Sequence, residues 1–356
     1  MSNPIRVGLV GLGRAGWGMH LSELEGKEDK FRIVAACDRI PERNELVKKR
    51  CACRTYGSIE ELIADPEVEL VDIATRSCDH YEHACMALAV GKDVLLEKPA
   101  GTSYQQFLDL LTRANRKGLP RLYFRQNRRF ETAFQEVLSI IKSGILGNVF
   151  EVQLSEFEYQ RRDDWQTLSK FGGGQILNWG PHLIDHALRF LDAPISRVDS
   201  NLILGAAGGD CEDHFSIYIT SENGRYATVS VSGSAALNGE RRYSAYGSRG
   251  ALQMVNNRIK LRYIDPNQKL PEVVSDPGTP ANEFGATGTF KAANGPIWIE
   301  EERVAPEEDL SVFWGYLFDS YRNGKPFPIK DEEVKELMWT ISKAKERRIV
   351  KACAIR

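Results

Sequence analysis

The chain has 356 residues, with 47 Lys plus Arg against 49 Asp plus Glu and a formal net charge of −2. That length exceeds one hydrophobic core and predicts about two domains. The balanced charge gives no electrostatic reason to expect nucleic acid or an anionic membrane as partner. No apolar run nears the ~18 residues that span a bilayer, and MSNPIRVGLV lacks the basic start and long apolar centre of a signal peptide. Seven cysteines run from Cys37 to Cys353 without a CxxC pair, and Cys51 and Cys53 flank a single residue, which is no zinc-knuckle spacing. Free thiols are expected, and with them a cytoplasmic location.

Between residue 5 and about 126, IRVGLVG, FRIVAACD, LVDIAT, DVLLEKP and RLYFRQ read as buried strands, too short for core helices and rich in Val, Ile and Leu. Amphipathic stretches separate them. PERNELVKKRCA carries proline in its first turn, and SYQQFLDLLTRANRKG follows a serine cap and ends on a glycine. The alternation predicts an α/β domain over residues 1–126, its parallel sheet covered on both faces. Right-handed crossovers then gather the carboxyl ends of the strands on one edge, where ligands bind.

Gly11-Leu12-Gly13-Arg14-Ala15-Gly16 is a GxGxxG that follows the first strand and opens a helical pattern, the context in which it signifies a dinucleotide site. The first glycine permits the tight turn, the second lets a pyrophosphate approach, and the third lets the helix pack on the strand. Helix amides then face the phosphates. Asp38 ends the second strand, placed to accept from the adenosine ribose hydroxyls and to disfavour the extra phosphate of NADP. Arg39 pulls the other way, because a guanidinium can bind that phosphate. Taken as a solvated helix-start residue it leaves NAD expected over NADP. Glu97, Lys98 and Pro99 reach the same edge. Lys98 is either a snorkelling surface group or an ammonium that steadies a developing alkoxide, and its place on the ligand edge favours the second.

After residue 150 the pattern changes. In FGGGQILNWGPHLIDHALRF, Asn178 and His182 are four apart, on one face if the segment is helical. A helix is expected near Pro181 with His182 at its exposed start, where the positive helix end keeps the imidazole neutral and able to take a hydroxyl proton. His182, Asp185 and His186 could instead bind zinc, but no further ligand is visible nearby, and His182 could also be a satisfied core histidine. Asp185 and His186 are expected in a polar network behind the helix. Upstream, Arg161, Arg162, Asp163, Asp164 and Trp165 form a polar cluster with one aromatic, either solvated surface or the lining of a sugar pocket; Arg161, Asp164 and Trp165 are the named candidates. HFSIYITSENGRYATVSVSG predicts a hairpin turning at Asn223-Gly224, and ALQMVNNRIKLRYI another at Asn256-Asn257. Residues 265–296, dense in Pro, Gly and Asn, predict a long loop or lid. Helical patterns around 306–323 and 331–350 close the chain, the second able to pack back on the first domain. Residues 127–356 are thus expected to form a mainly antiparallel-sheet domain for substrate binding and oligomerisation.

GLGRAG, ATRSCDHYEHACMAL, GKDVLLEKP, RQNRRF and GGGQILNWGPHLID stand in the order and spacing of the Gfo/Idh/MocA oxidoreductases, which the chain resembles from its first strand past residue 190. The resemblance implies a Rossmann domain followed by an open antiparallel sheet, with the active site between them. It implies that Lys98 and His182 are catalytic, and that Thr75 and His80 belong to the cofactor loop. Arg76 and Ser77 replace that loop's usual proline and asparagine. Asn127 and Arg129 fall on the segment that closes the cofactor site, and Glu97 precedes the catalytic lysine. Asn178 stands where the family usually has aspartate, and the asparagine offers hydrogen bonds without charge. The expected activity is NAD(P)-dependent interconversion of a secondary alcohol and a ketone on a sugar, inositol or polyol. A catalytically silent NAD-bound sensor and an NAD-dependent redox-neutral glycosidase are the alternatives. No metal is expected. An exposed sheet face predicts a homodimer or homotetramer.

Overall fold

The computed structural model describes residues 3–236, 242–272, 274 and 295–352. Six short strands build a parallel sheet: β1 Ile5–Val10, β2 Phe31–Cys37, β3 Arg54–Tyr56, β4 Leu70–Ile73, β5 Asp93–Glu97 and β6 Leu122–Arg125. Their order is β3-β2-β1-β4-β5-β6, so the winding reverses between β1 and β4. Such a switch point opens a crevice at the carboxyl ends of the strands. Every residue of β4 and β6 is buried, as a sheet covered on both faces requires.

Sequence reading missed β3, whose three residues carry an arginine and no apolar run. The helix Pro41–Cys51 has its proline at the start, and Ser103 caps Tyr104–Arg113 by accepting from the Gln106 amide at 3.2 Å. That second helix stops well before Gly118. Asn115, at φ 59°, turns the chain and exchanges side-chain hydrogen bonds with the Leu122 backbone at 2.8 and 3.0 Å, drawing it into β6.

The remaining strands are β7 Val149–Phe157, β8 Ile195–Leu204, β9 His214–Ser221, β10 Tyr226–Ser232, β11 Arg242–Gly247, β12 Gly250–Val255, β13 Arg258–Ile264, β14 Trp298–Val304 and β15 Ile349–Lys351. They form one nine-stranded sheet in the order β14-β13-β12-β11-β7-β10-β9-β8-β15. The sheet is mostly antiparallel, but β7–β10 and β8–β15 pair parallel. Both hairpins form. In the β9–β10 turn only Gly224 takes a positive φ, 84°, and in the β12–β13 turn Asn256 does, at 56°. One face of the sheet carries the helix Gly180–Leu191, buried at every residue but Arg189.

The closing helices are Val312–Asn323, which starts later than expected, and Asp331–Lys345, which stops earlier because the chain then runs into β15. Val312–Asn323 reaches the parallel sheet: Trp314 meets Phe31 edge-on at 5.3 Å, and Arg322 donates to Glu69 at 2.8 Å. Most of the long loop expected over 265–296, residues 275–294, lies outside the described residues, as does Cys353. No described helix is long and apolar enough to cross a membrane.

Candidate functional site

A cleft of about 1000 Å³ runs along the carboxyl edge of the parallel sheet and is walled on the other side by residues between Glu156 and His182. That is the upper end of the ~300–1000 Å³ usual for ligand pockets. Gly11, Gly13, Arg14 and Ala15 line one end of it. Gly11 has φ 94°, and a Cβ on it would lie 2.7 Å from the Ala74 carbonyl oxygen. A Cβ on Gly16 would sit 2.0 Å from the Gly11 carbonyl oxygen, whereas one on Gly13 would meet nothing nearer than Arg43 Nη1 at 4.0 Å. The loop is therefore closed behind and open in front, which fits a pyrophosphate. Leu12 is in the core, and its amide donates to Asp38 Oδ2 at 2.8 Å. Asp38 also accepts from the Ile40 amide at 2.9 Å and from Arg43 at 3.2 Å. Arg39 and Arg43 flank it on the cleft. Residues 16–20 form a π-helical turn, a distortion common at functional sites.

Thr75, His80, Glu97 and Asn127 also line the cleft. His80 is buried with Nδ1 2.8 Å from the Pro99 carbonyl and Nε2 3.1 Å from that of Thr75. Burial lowers its pKa, and a neutral ring can donate to only one of these two carbonyls at a time. Arg76 pairs with Asp79 at 3.0 Å and stacks on Phe171 at 4.4 Å. Arg129 is absent from the cleft lining. Its guanidinium grips Asp185 at 2.6 and 2.7 Å and reaches Glu333, locking the helix Gly180–Leu191 from behind. His186 contacts Tyr243 Oη and the Arg128 carbonyl, each at 2.9 Å. Asp185 and His186 are thus engaged away from His182, and among the described residues no group of three or more His, Cys, Asp or Glu could hold a metal ion.

Lys98 follows β5 and donates from Nζ to the Asn178 carbonyl at 3.0 Å, with Asn178 Oδ1 at 3.4 Å. Burial, with Arg128, Arg14 and Arg125, outweighs the opposing Glu97 and lowers the lysine pKa to about 8. Asn178 ends the turn Gln175–Asn178, and the backbone stays helical through Trp179 into Gly180–Leu191. The His182 amide bonds the Trp179 carbonyl at 3.0 Å. Lys98, Asn178 and His182 share the cleft. The helix begins at Gly180, and His182 is only 7% exposed, not at an exposed start, because the preceding turn stacks in line and the Trp179 ring meets it edge-on at 6.0 Å.

Farther along, Glu156, Glu158, Gln160, Arg162 and Asp164 line the cleft beside Trp165. Arg161 is exposed and outside it. The extended chain continuing β7 puts alternate side chains on one face, so the even-numbered residues turn inward and Arg162 takes the place expected of Arg161. Arg162 donates to Asp164 at 2.6 Å and also reaches Gln166. Sequence reading also missed Arg43 and Arg128 in the cleft, and a buried group behind it, His20, Asp72 and Arg125. A signal existed for that group. His20 lies four residues after Gly16, Asp72 interrupts a wholly apolar strand, and Arg125 ends another.

Residues 5–123 match the oxidoreductase family with the NAD-binding Rossmann fold, and residues 134–253 match the GFO/IDH/MocA C-terminal domain. The chain belongs to the Gfo/Idh/MocA oxidoreductases. An uncharacterized oxidoreductase of Schizosaccharomyces pombe is 32% identical over 290 residues, covering 77% of this chain and 76% of its own. The scyllo-inositol 2-dehydrogenase (NADP(+)) IolW of Bacillus subtilis is 27% identical over 248 residues, 69% of this chain and 67% of that protein. In fold, an NAD-binding protein from Listeria innocua matches with TM-score 0.79 and 23% identity over 97% of each chain.

Proposed function

We propose that this oxidoreductase interconverts a secondary alcohol and a ketone on a sugar, inositol or related polyol, with NAD preferred over NADP. One observation carries the reading: Lys98, hydrogen-bonded to Asn178, shares with His182 a single cleft whose other end is the open glycine loop. The dinucleotide supplies the hydride acceptor or donor. Gly11, Gly13, Arg14 and Ala15 hold its phosphates, and Asp38 faces its ribose. His182 takes the hydroxyl proton of the alcohol, or returns it in the reverse direction. The Lys98 ammonium steadies charge on the same oxygen, and Asn178 orients the amine. The inward carboxylates and Arg162 suit a ligand rich in hydroxyls. The inositol dehydrogenase among the relatives supports that substrate class.

Tyr218, exposed and stacked on Tyr226 at 5.1 Å, leaves an aromatic patch on the nine-stranded sheet that suits a homodimer or homotetramer. The six described cysteines are free, in keeping with a reducing cytoplasm. A second reading, a silent dinucleotide-bound sensor, draws on the uncharged Asn178. A panel of sugars and cyclitols assayed with NAD and NADP side by side separates the two, because a sensor binds ligand and makes no NADH. His182→Ala should lower turnover by about 10²–10⁴-fold. An unchanged rate removes His182 from the reaction.

A further inference from the structure

Behind Lys98 lies a group of charged side chains that the proposed chemistry does not use. His20, on the π-helical turn, has Nδ1 2.7 Å from Asp72 Oδ2 and Nε2 3.0 Å from Glu97 Oε1. The ring is fully buried. A neutral imidazole has one N–H and one lone pair, so between two carboxylates it would turn that lone pair against an anion. An imidazolium donates to both. Glu97 Oε1 also accepts from Arg125 Nη1 at 2.7 Å, and Arg125 Nη2 reaches Glu23. Glu97 and Arg125 are directly paired in the register of β5 and β6. Trp314 closes the group, its indole donating to Glu23 at 2.8 Å and its ring lying edge-on to His20 at 5.7 Å.

Charge balance agrees. With His20 protonated, the cations His20, Lys98 and Arg125 match the anions Glu23, Asp72 and Glu97. With it neutral, an unmatched buried anion remains, which is costly.

We propose that Glu97, clamped by a permanently charged His20 and by Arg125, is the positioning residue that aims Lys98 and sustains its ammonium. The proposal rests on the reading of Lys98 given above. Glu97 acts at two points. Its Oε2 accepts from the Lys98 amide at 2.9 Å, fixing the peptide from which the lysine side chain departs. Its charge opposes burial and the repulsion of Arg128, Arg14 and Arg125 on the amine. Burial works against that charge, yet Arg125, His20 and Lys98 hold the Glu97 carboxyl far below the usual range. Burial and Arg125 likewise oppose a charged His20, and Asp72 and Glu97 outweigh them and raise its pKa.

The test uses the full chain with NAD and no substrate. In histidine-labelled wild-type protein, nitrogen NMR should find both His20 ring nitrogens protonated between about pH 6 and about pH 8. A neutral tautomer there overturns the proposal, whether or not any variant folds. In Glu97→Gln, the Lys98 titration, followed by lysine NMR or competitive acylation, should move down by about one pH unit or more. An unmoved midpoint overturns it as well. A moved midpoint together with full turnover in Lys98→Ala leaves the clamp standing and removes the dehydrogenase role of Lys98 instead.

Discussion

At the glycine-loop end of the cleft, backbone is packed against backbone; at the other end, side chains hold one another. The Gly16 Cα faces the Gly11 carbonyl with no room for a methyl group. Arg162, by contrast, is kept in place by Asp164 and Gln166, partners that move with it on one short segment. A backbone constraint admits one residue type, and a side-chain constraint admits many. The difference explains why one end can be recognised as a dinucleotide site while the other leaves its ligand unnamed.

Substitutions can break this contrast. Gly16→Ala should destabilise the protein by about 4 kcal/mol or more and abolish NAD binding, seen by thermal unfolding and calorimetry. Gly13→Ala should fold normally and lose only dinucleotide affinity. Equal behaviour of the two would place the phosphates elsewhere. Lys98→Ala should lower kcat by about 10²–10³-fold while NAD affinity changes little. The lysine acts as a cation, and its pKa is lowered to about 8, so it is charged below that pH. Activity should accordingly fall as pH rises through about 8, approaching tenfold per unit, and a flat alkaline profile would contradict the ammonium role. At the far end, Arg162→Ala should raise KM by about 3–10-fold with kcat nearly constant, and Arg161→Ala should leave both within about twofold. Reversal of those two results would mean that the alternation along 156–164 is not what faces the substrate.

The doubly wound sheet was legible because its strands are apolar runs and the glycine motif sits between a strand and a helix. Lys98 stood out by its place on the ligand edge and His182 by its place near a helix start, and the family resemblance implied that the two share one site. What escaped has physical reasons. β3 is three residues long with an arginine, so no periodicity marks it. The parallel pairing of β7 with β10 joins segments separated by the helix Gly180–Leu191 and the strands β8 and β9, and no local pattern encodes such a partner. Arg161 and Arg162 are adjacent and chemically identical, and only the phase of the extended chain after β7 decides which turns inward. Arg129 matched a cofactor motif, yet its guanidinium meets Asp185 and Glu333, distant residues that a linear reading cannot bring to it. Arg125 shows the same limit. A cation at a strand end resembles solvated surface until Glu97 appears beside it in register.

Trp314 covers a charged group whose other members all come from the first 125 residues. During synthesis the glycine loop and the parallel sheet leave the ribosome long before that indole exists, so Phe31, His20 and Glu23 wait uncovered until the penultimate helix arrives. A fragment cut after the sixth strand would keep the motif and lose its roof.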